Sequence, residues 1–196
     1  MKSRKTLSSF ALLSSLLALP ALAETSEWTI DSAHSRFGFL APHMVVSEVE
    51  GEFHTANGKV LLDEADLSKS TVELTIDVNS VDTNNADRDK HLKSPDFFDA
   101  AKFPQITFKS TKIKKAGKAF KVTGDLTMHG VTKPVTLDVE LSNPITNPWG
   151  KQVRGVKVKG KLNRQEFGVS FSKALETGGL VVGDEITLNI KLELNK

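Results

Sequence analysis

Alternation is the feature that most limits what this chain can become. Residues 71–78 read Thr-Val-Glu-Leu-Thr-Ile-Asp-Val, so Val72, Leu74, Ile76 and Val78 fall on one face and polar side chains on the other. A period of two belongs to an extended strand, whose successive side chains point to opposite sides; a helix would need apolar residues three and four apart. The same period runs through Val135, Leu137, Val139 and Leu141, and again through Ile186, Leu188, Ile190, Leu192 and Leu194. Shorter extended runs are expected over residues 36–40, 51–53, 59–62, 106–113, 120–128 and 153–162, with Gly117, Gly130 and Asn147-Pro148 as turn signals. A strand with one apolar face must bury it against another. About eight antiparallel strands do so by closing into a barrel or by stacking as two sheets, and only closure also removes the exposed edges. The expected fold class is all-β. Helix signals are confined to residues 84–93, a polar stretch with Asn or Asp near its start for capping and Pro95 just beyond its end. This short surface helix should cross one end of the barrel, with a second turn over residues 97–102.

The first residues carry a different instruction. Lys2, Arg4 and Lys5 precede an uncharged stretch from Leu7 to Leu19, followed by Pro20 and then Ala21-Leu22-Ala23. Positive charge, a short apolar run and small residues at a cleavage point make a secretory signal peptide over residues 1–23, and the run falls short of the roughly 20 residues of a spanning helix. The expected mature protein is residues 24–196, a single domain located in the periplasm. With no cysteine in the chain, neither a disulfide nor a lipoprotein anchor is available, and stability must come from a core. Cleavage removes three of the 26 basic residues and none of the 24 acidic ones, leaving 23 against 24 and a formal charge of −1. That balance gives no electrostatic case for nucleic acid. The lysines around residues 112–121 read as the solvated tip of a hairpin.

Catalytic signals are sparse. His34, His43, His54, His91 and His129 never pair at the close spacing that puts two zinc ligands on one strand or helix. There is no G-x-S-x-G, and Gly178-Gly179 is not followed by the Lys-Ser or Lys-Thr of a phosphate loop. Asp125, Thr127, His129 and Thr132 surround Gly130 and are expected to satisfy the backbone of a turn. Arg88 beside Asp89 is read either as an ion pair that fixes the helix as a lid or as part of a solvated face. Phe97, Phe98, Phe103 and Phe108 crowd together just beyond it.

Five blocks in order carry a resemblance. They are Trp28-Thr29-Ile30-Asp31-Ser32-Ala33-His34-Ser35, the run from Arg88 through Asp96-Phe97-Phe98-Asp99, Phe103-Pro104 through Ser110, Gly124-Asp125-Leu126-Thr127 through Pro134-Val135, and Arg164 through Phe167-Gly168. Together they resemble the YceI-like family across nearly the whole mature chain. The resemblance implies an exported bacterial protein with a lipocalin-like antiparallel β-barrel of about eight strands and one or two short helices. It also implies, as ligand, a long isoprenoid such as a polyprenyl compound or the tail of an isoprenoid quinone, or another long amphiphilic lipid, with a role in envelope stress response. Two departures are visible: residues 48–53 are acidic where relatives often carry basic residues, and Glu166 stands where aspartate is common.

The expectation is therefore a lipid-binding protein and not an enzyme, with no catalytic residue, metal ligand or catalytic cofactor and no membrane-spanning segment. The apolar faces and aromatic residues supply the candidate lining: Phe39, Val72, Leu74, Ile76 and Val78 early in the chain, Phe97, Phe98 and Phe108 near the helix, and Leu126, Met128 and Phe167 beyond it. Monomer and homodimer both stay open. So do two alternatives of other classes, an enzyme acting on an apolar substrate and a structural or partner-binding envelope protein with a filled barrel.

Overall fold

The computed structural model describes residues 25–176 and 178–196, so the leader expected over residues 1–23 lies outside the described residues. Eleven strands follow in order: β1 Thr25–His43, β2 Ser47–Phe53, β3 Ala56–Asp63, β4 Thr71–Asp77, β5 Val81–Asp82, β6 Gln105–Ala116, β7 Ala119–Met128, β8 Val131–Leu141, β9 Ile145–Thr146, β10 Gln152–Asn163 and β11 Glu185–Asn195. Each main strand pairs antiparallel with its neighbour in sequence, and β11 returns to β1, which closes an eight-stranded barrel of β1, β3, β4, β6, β7, β8, β10 and β11. Closure pairs the first strand with the last, as the alternation required, although β8 meets β10 only over Asp138 to Leu141.

β1 does double duty. Thr25 to Thr29 pair with β3, Phe37 to His43 pair with β2, and the opposite edge pairs with β11 on either side of an irregularity between Asp31 and Arg36. A bulge bends a strand and strengthens its twist. Here the bend is fixed by side chains: the Ala33 amide donates to Asp31 Oδ1 at 2.9 Å, and the Glu193 amide donates to Ser35 Oγ at 3.1 Å.

The lysine-rich hairpin of β6 and β7 turns at Gly117-Lys118, between paired Ala116 and Ala119. β7 and β8 turn at His129-Gly130, both with positive φ (52° and 75°), the signature of a type I′ hairpin. Thr127 and Thr132 are joined across its neck at 2.8 Å.

Among the described residues one α-helix, α1 Ala86–Lys93, starts at Asn85, whose side chain accepts the Arg88 amide, and ends at Ser94 before Pro95. Residues 97–102 form turns, as expected. Single 3₁₀ turns occupy Leu67–Lys69, Val78–Ser80 and Arg164–Phe167. The second of these corrects one expectation: β4 ends at Asp77, whose carboxylate accepts the Asn79 amide at 2.9 Å, so Val78 opens a turn and does not continue the strand face.

Candidate functional site

The inward faces of the barrel enclose two apolar chambers in line. One, of about 160 Å³, is walled by residues such as Phe39, Ile76, Leu126 and Met128; the other, of about 140 Å³, by residues such as Val72, Val122, Val139 and Leu192. Phe37, Leu74, Phe108, Leu137 and Ile190 border both and form a waist between them. Two glycines make this waist possible. A Cβ on Gly124 would lie 2.5 Å from Phe108 Cζ, and one on Gly160 would lie 2.6 Å from Leu137 Cδ2. Strand positions that would otherwise carry side chains are thus left empty for waist residues of neighbouring strands. Two polar side chains reach the walls. Ser70 Oγ accepts the Asp63 amide at 3.1 Å, and Arg164 turns its donors outward to the carbonyls of Val169, Gly183 and Val182 and to Asp184. Burial lowers the Arg164 pKa from its ordinary value, opposed by the Asp184 carboxylate.

The first chamber is the mouth end, and two segments cover it. One is the excursion over residues 83–104, which contributes Leu92, Phe97 and Phe98; the other, over residues 164–176 and 178–184, contributes Val169 and Val182. They meet through aromatic contacts: Phe171 lies 4.8 Å from Phe97 and 5.0 Å from His91, ring centre to ring centre. Arg88 and Asp89 do not pair with each other. Both grip buried Thr83, whose hydroxyl donates to Asp89 Oδ1 at 2.6 Å and accepts from Arg88 Nε at 2.7 Å, while Arg88 Nη2 donates to the Thr83 carbonyl. The helix is therefore tied to the chain just after β5.

The opposite end is sealed. Trp28 is fully buried; its Nε1 donates to Ser26 Oγ at 2.8 Å, Ser26 donates to Glu64, and Glu64 accepts from Arg154 Nη2 at 2.8 Å. The Arg154 guanidinium lies 5.2 Å from the centre of the Trp28 ring, a cation–π contact that completes the plug.

Of the residues proposed from sequence, Phe39, Ile76, Phe97, Phe98, Leu126 and Met128 border the mouth chamber, Val72 the sealed one, and Leu74 and Phe108 both. Val78 and Phe167 border neither. Val78, 1% exposed, and Phe167, 2% exposed in the Arg164–Phe167 turn, are packed into the core. The sequence reading did not single out Phe37, which shares the alternation of Phe39, nor Leu92 at the inner face of α1. The polar residues near Gly130 stand apart from the cavity; His129 packs on Phe103 at 4.6 Å. In the acidic stretch, Glu50 and Glu52 both bind Arg36 at 2.9 and 2.8 Å, so one of the three negative charges of Glu48, Glu50 and Glu52 is offset locally. Among the described residues, one set of three metal-capable groups converges, Asp31, His34 and Glu193. It lies at the β1 bulge, away from both chambers.

The YceI-like domain family matches residues 28–194. Protein YceI of Salmonella newport (strain SL254) is 42% identical over 160 residues, which cover 81% of this chain and 84% of that protein. Among solved structures, BcnA of Burkholderia cenocepacia is similar with a TM-score of 0.74 and 27% identity, over 84% of this chain and 98% of that one. A polyisoprenoid binding domain from Saccharophagus degradans, implicated in plant cell wall breakdown, is similar with a TM-score of 0.59 over 87% of this chain and 98% of that one. At 16% identity, this last likeness is one of fold.

Proposed function

The chain belongs to the YceI-like family, and on that premise we propose that it is a binding protein that holds the tail of a long isoprenoid-type lipid along the barrel axis. A polyprenyl compound or an isoprenoid quinone fits this description. The observation that carries the reading is the pair of apolar chambers in line, joined at a waist of side chains. A cavity of roughly 150 Å³ with apolar walls stays dry and accepts a molecule the size of benzene. Two of them end to end suit a slender, repeating chain better than a single compact ligand. Each Å² of apolar surface buried would contribute roughly 25 cal/mol.

Binding and not catalysis is the better account of these walls. Ser70 and Arg164 are the polar side chains that border them, and both are engaged with the protein's own backbone. The polyisoprenoid-binding relative of the same fold agrees with an isoprenoid ligand. The leader pattern ending at Ala23 supports work in the periplasm as a lipid carrier or store, and the family resemblance supports a part in envelope stress.

The deciding experiment is organic extraction and mass spectrometry of the protein purified from its native envelope, with intact mass measured on the same sample. A prenyl lipid near one per chain is expected, on a chain beginning at Glu24. Protein that emerges lipid-free and takes up no prenyl alcohol when offered one would refute the binding reading. A chain that still carries residues 1–23 would refute the location.

A further inference from the structure

We propose that the tip of the β1–β2 hairpin, Met44-Val45-Val46, is a prong that seats the mouth of the barrel on a lipid bilayer. This inference rests on the reading of the cavity as a lipid site and says where the lipid enters. The three residues are consecutive and apolar, and Val45 and Val46 are 75% and 82% exposed. A lone exposed valine needs no explanation; three apolar side chains together at a loop tip, unshielded, do.

Backbone geometry holds them there. Met44 and Val45 have φ of 51° and 64°, the left-handed region in which a β-branched residue is a true outlier. A turn of this kind ordinarily takes Gly or Asn, so an apolar β-branched residue is kept against local preference. Strain of this sort clusters where a segment has a task. The tip is anchored beneath: the Met44 amide donates to the Val181 carbonyl at 3.0 Å, and the Gly183 amide donates to the Pro42 carbonyl at 2.9 Å.

Position gives the prong its meaning. Ala41, just before it, and Val182, bridged to His43, both border the mouth chamber. The tip therefore rises from the rim, beside residues 181–183 of the covering segment. Its size selects the partner. A stable protein interface takes some 20–30 residues a side, far more than three side chains offer, whereas shallow insertion of a few apolar groups is how peripheral proteins hold to the headgroup boundary. The other large exposed apolar residues among those described, Ile145 and Trp149, lie beyond β8 at the sealed end, where no lipid could enter.

The test uses vesicles of phosphatidylethanolamine and phosphatidylglycerol, with and without a fluorescent prenyl alcohol. Val45→Asn with Val46→Ser removes the apolar tip while giving the left-handed position a residue that suits it, so the fold is kept. Flotation with vesicles, and the rate of probe transfer from vesicle to protein, should fall about tenfold, the change that 1.4 kcal/mol makes. Uptake of probe dispersed in solution should not change. Because Trp28 is buried and Trp149 exposed at the far end, tryptophan emission should not shift on docking. Val46→Trp in a Trp149→Ser background should keep docking and bring a blue shift with it.

Flotation and transfer unaffected by the double substitution would overturn the proposal. So would a blue shift of Trp149 in the wild type, since that would put the sealed end on the membrane. Flotation needs no ligand. A wild type that took up no prenyl probe would therefore refute the cavity reading while the flotation comparison still decided the docking.

Discussion

Replacing Phe108 by alanine should turn two chambers into one. The ring is 8% exposed, borders both chambers and fills the space left by Gly124. Truncating a buried phenylalanine costs about 3–5 kcal/mol. Phe108 already faces a void on either side along the axis, so it gives up fewer contacts than a close-packed ring, and about 3 kcal/mol is expected. For a domain of this size that lowers Tm by roughly 6–12 °C. The space vacated joins chambers of about 160 and 140 Å³ into a continuous channel. A prenyl chain laid through it would refill the gap. At about 0.8 kcal/mol for each buried CH₂, one isoprene unit in the place of the ring offsets most of the loss.

The assay is thermal unfolding of delipidated wild type and Phe108→Ala, alone and with geraniol, farnesol or geranylgeraniol at matched excess. The variant should be the less stable protein when empty. Its stabilisation should climb more steeply with chain length than that of the wild type, because only chains long enough to cross the waist recover the lost contacts. Gly124→Ala should not act as a simple converse: its Cβ would lie 2.5 Å from the Lys109 carbonyl oxygen as well as from Phe108 Cζ, so the pairing of β6 with β7 would have to shift and the empty protein should lose stability. If Phe108→Ala lowers Tm but both proteins show the same dependence on chain length, no ligand passes the waist and the argument from two aligned chambers fails.

Phe97→Ala and Phe98→Ala should each reduce lipid held per folded protein, because Phe97 meets Phe171 at 4.8 Å, Phe98 meets Phe53 at 5.9 Å and both border the mouth chamber. Equal lipid content in wild type and both variants would leave them as core residues only. Thr83→Val should cost about 1–3 kcal/mol by stranding Arg88 and Asp89, and should speed amide exchange in α1; unchanged protection of α1 would show that the helix is held by other means. At the β1 bulge, the hydrogen bond between His34 and Asp31 raises the His34 pKa above 6.5 and lowers that of Asp31 below 3.8. Its stabilising effect is therefore full between those two values, lost as pH rises through the raised His34 value and lost as pH falls through the lowered Asp31 value. An NMR titration midpoint for His34 at or below 6.5 would contradict this, and His34→Gln should abolish the alkaline loss of Ala33 amide protection.

The strands were legible where both faces of the sheet meet constant surroundings. β4, β8 and β11 alternate cleanly in sequence, and in β8 the burial alternates with them residue by residue. β1 was legible only in part. Residues 31–35 break the period because the chain bulges there, and the bulge depends on Ser35 and on an amide of β11 that lies 158 residues away. Val78 was misplaced because a period of two does not say where a chain leaves the sheet; Asp77 decides that by capping the next turn. Arg88 and Asp89 were read as candidate partners because they adjoin in sequence, yet neighbours on a helix do not face each other. Thr83 is what brings them together. The waist was hidden for another reason. Phe108 is legible in the sequence as a lining residue, but nothing there sets Gly124 beside it; only the pairing of β6 with β7 does.

The two ends of the barrel are closed by different physics, and the difference says how the interior can be reached. At the sealed end, the plug of Trp28, Ser26, Glu64 and Arg154 ties β1 to the chain after β3 and to β10 through charged and neutral hydrogen bonds. Opening it would strand a buried arginine, 7% exposed, at a cost of several kcal/mol. At the mouth, the covers over residues 83–104 and 164–176 lean on each other through ring contacts of His91, Phe97 and Phe171. Each such aromatic pair contributes about 0.5–1.5 kcal/mol beyond its buried area. These ring contacts can part while Thr83 still holds α1 and buried Arg164 still holds Val169, Val182, Gly183 and Asp184. A chain entering there would replace the ring contacts it parts with apolar contacts of its own, so loading and closing can proceed without disturbing the barrel.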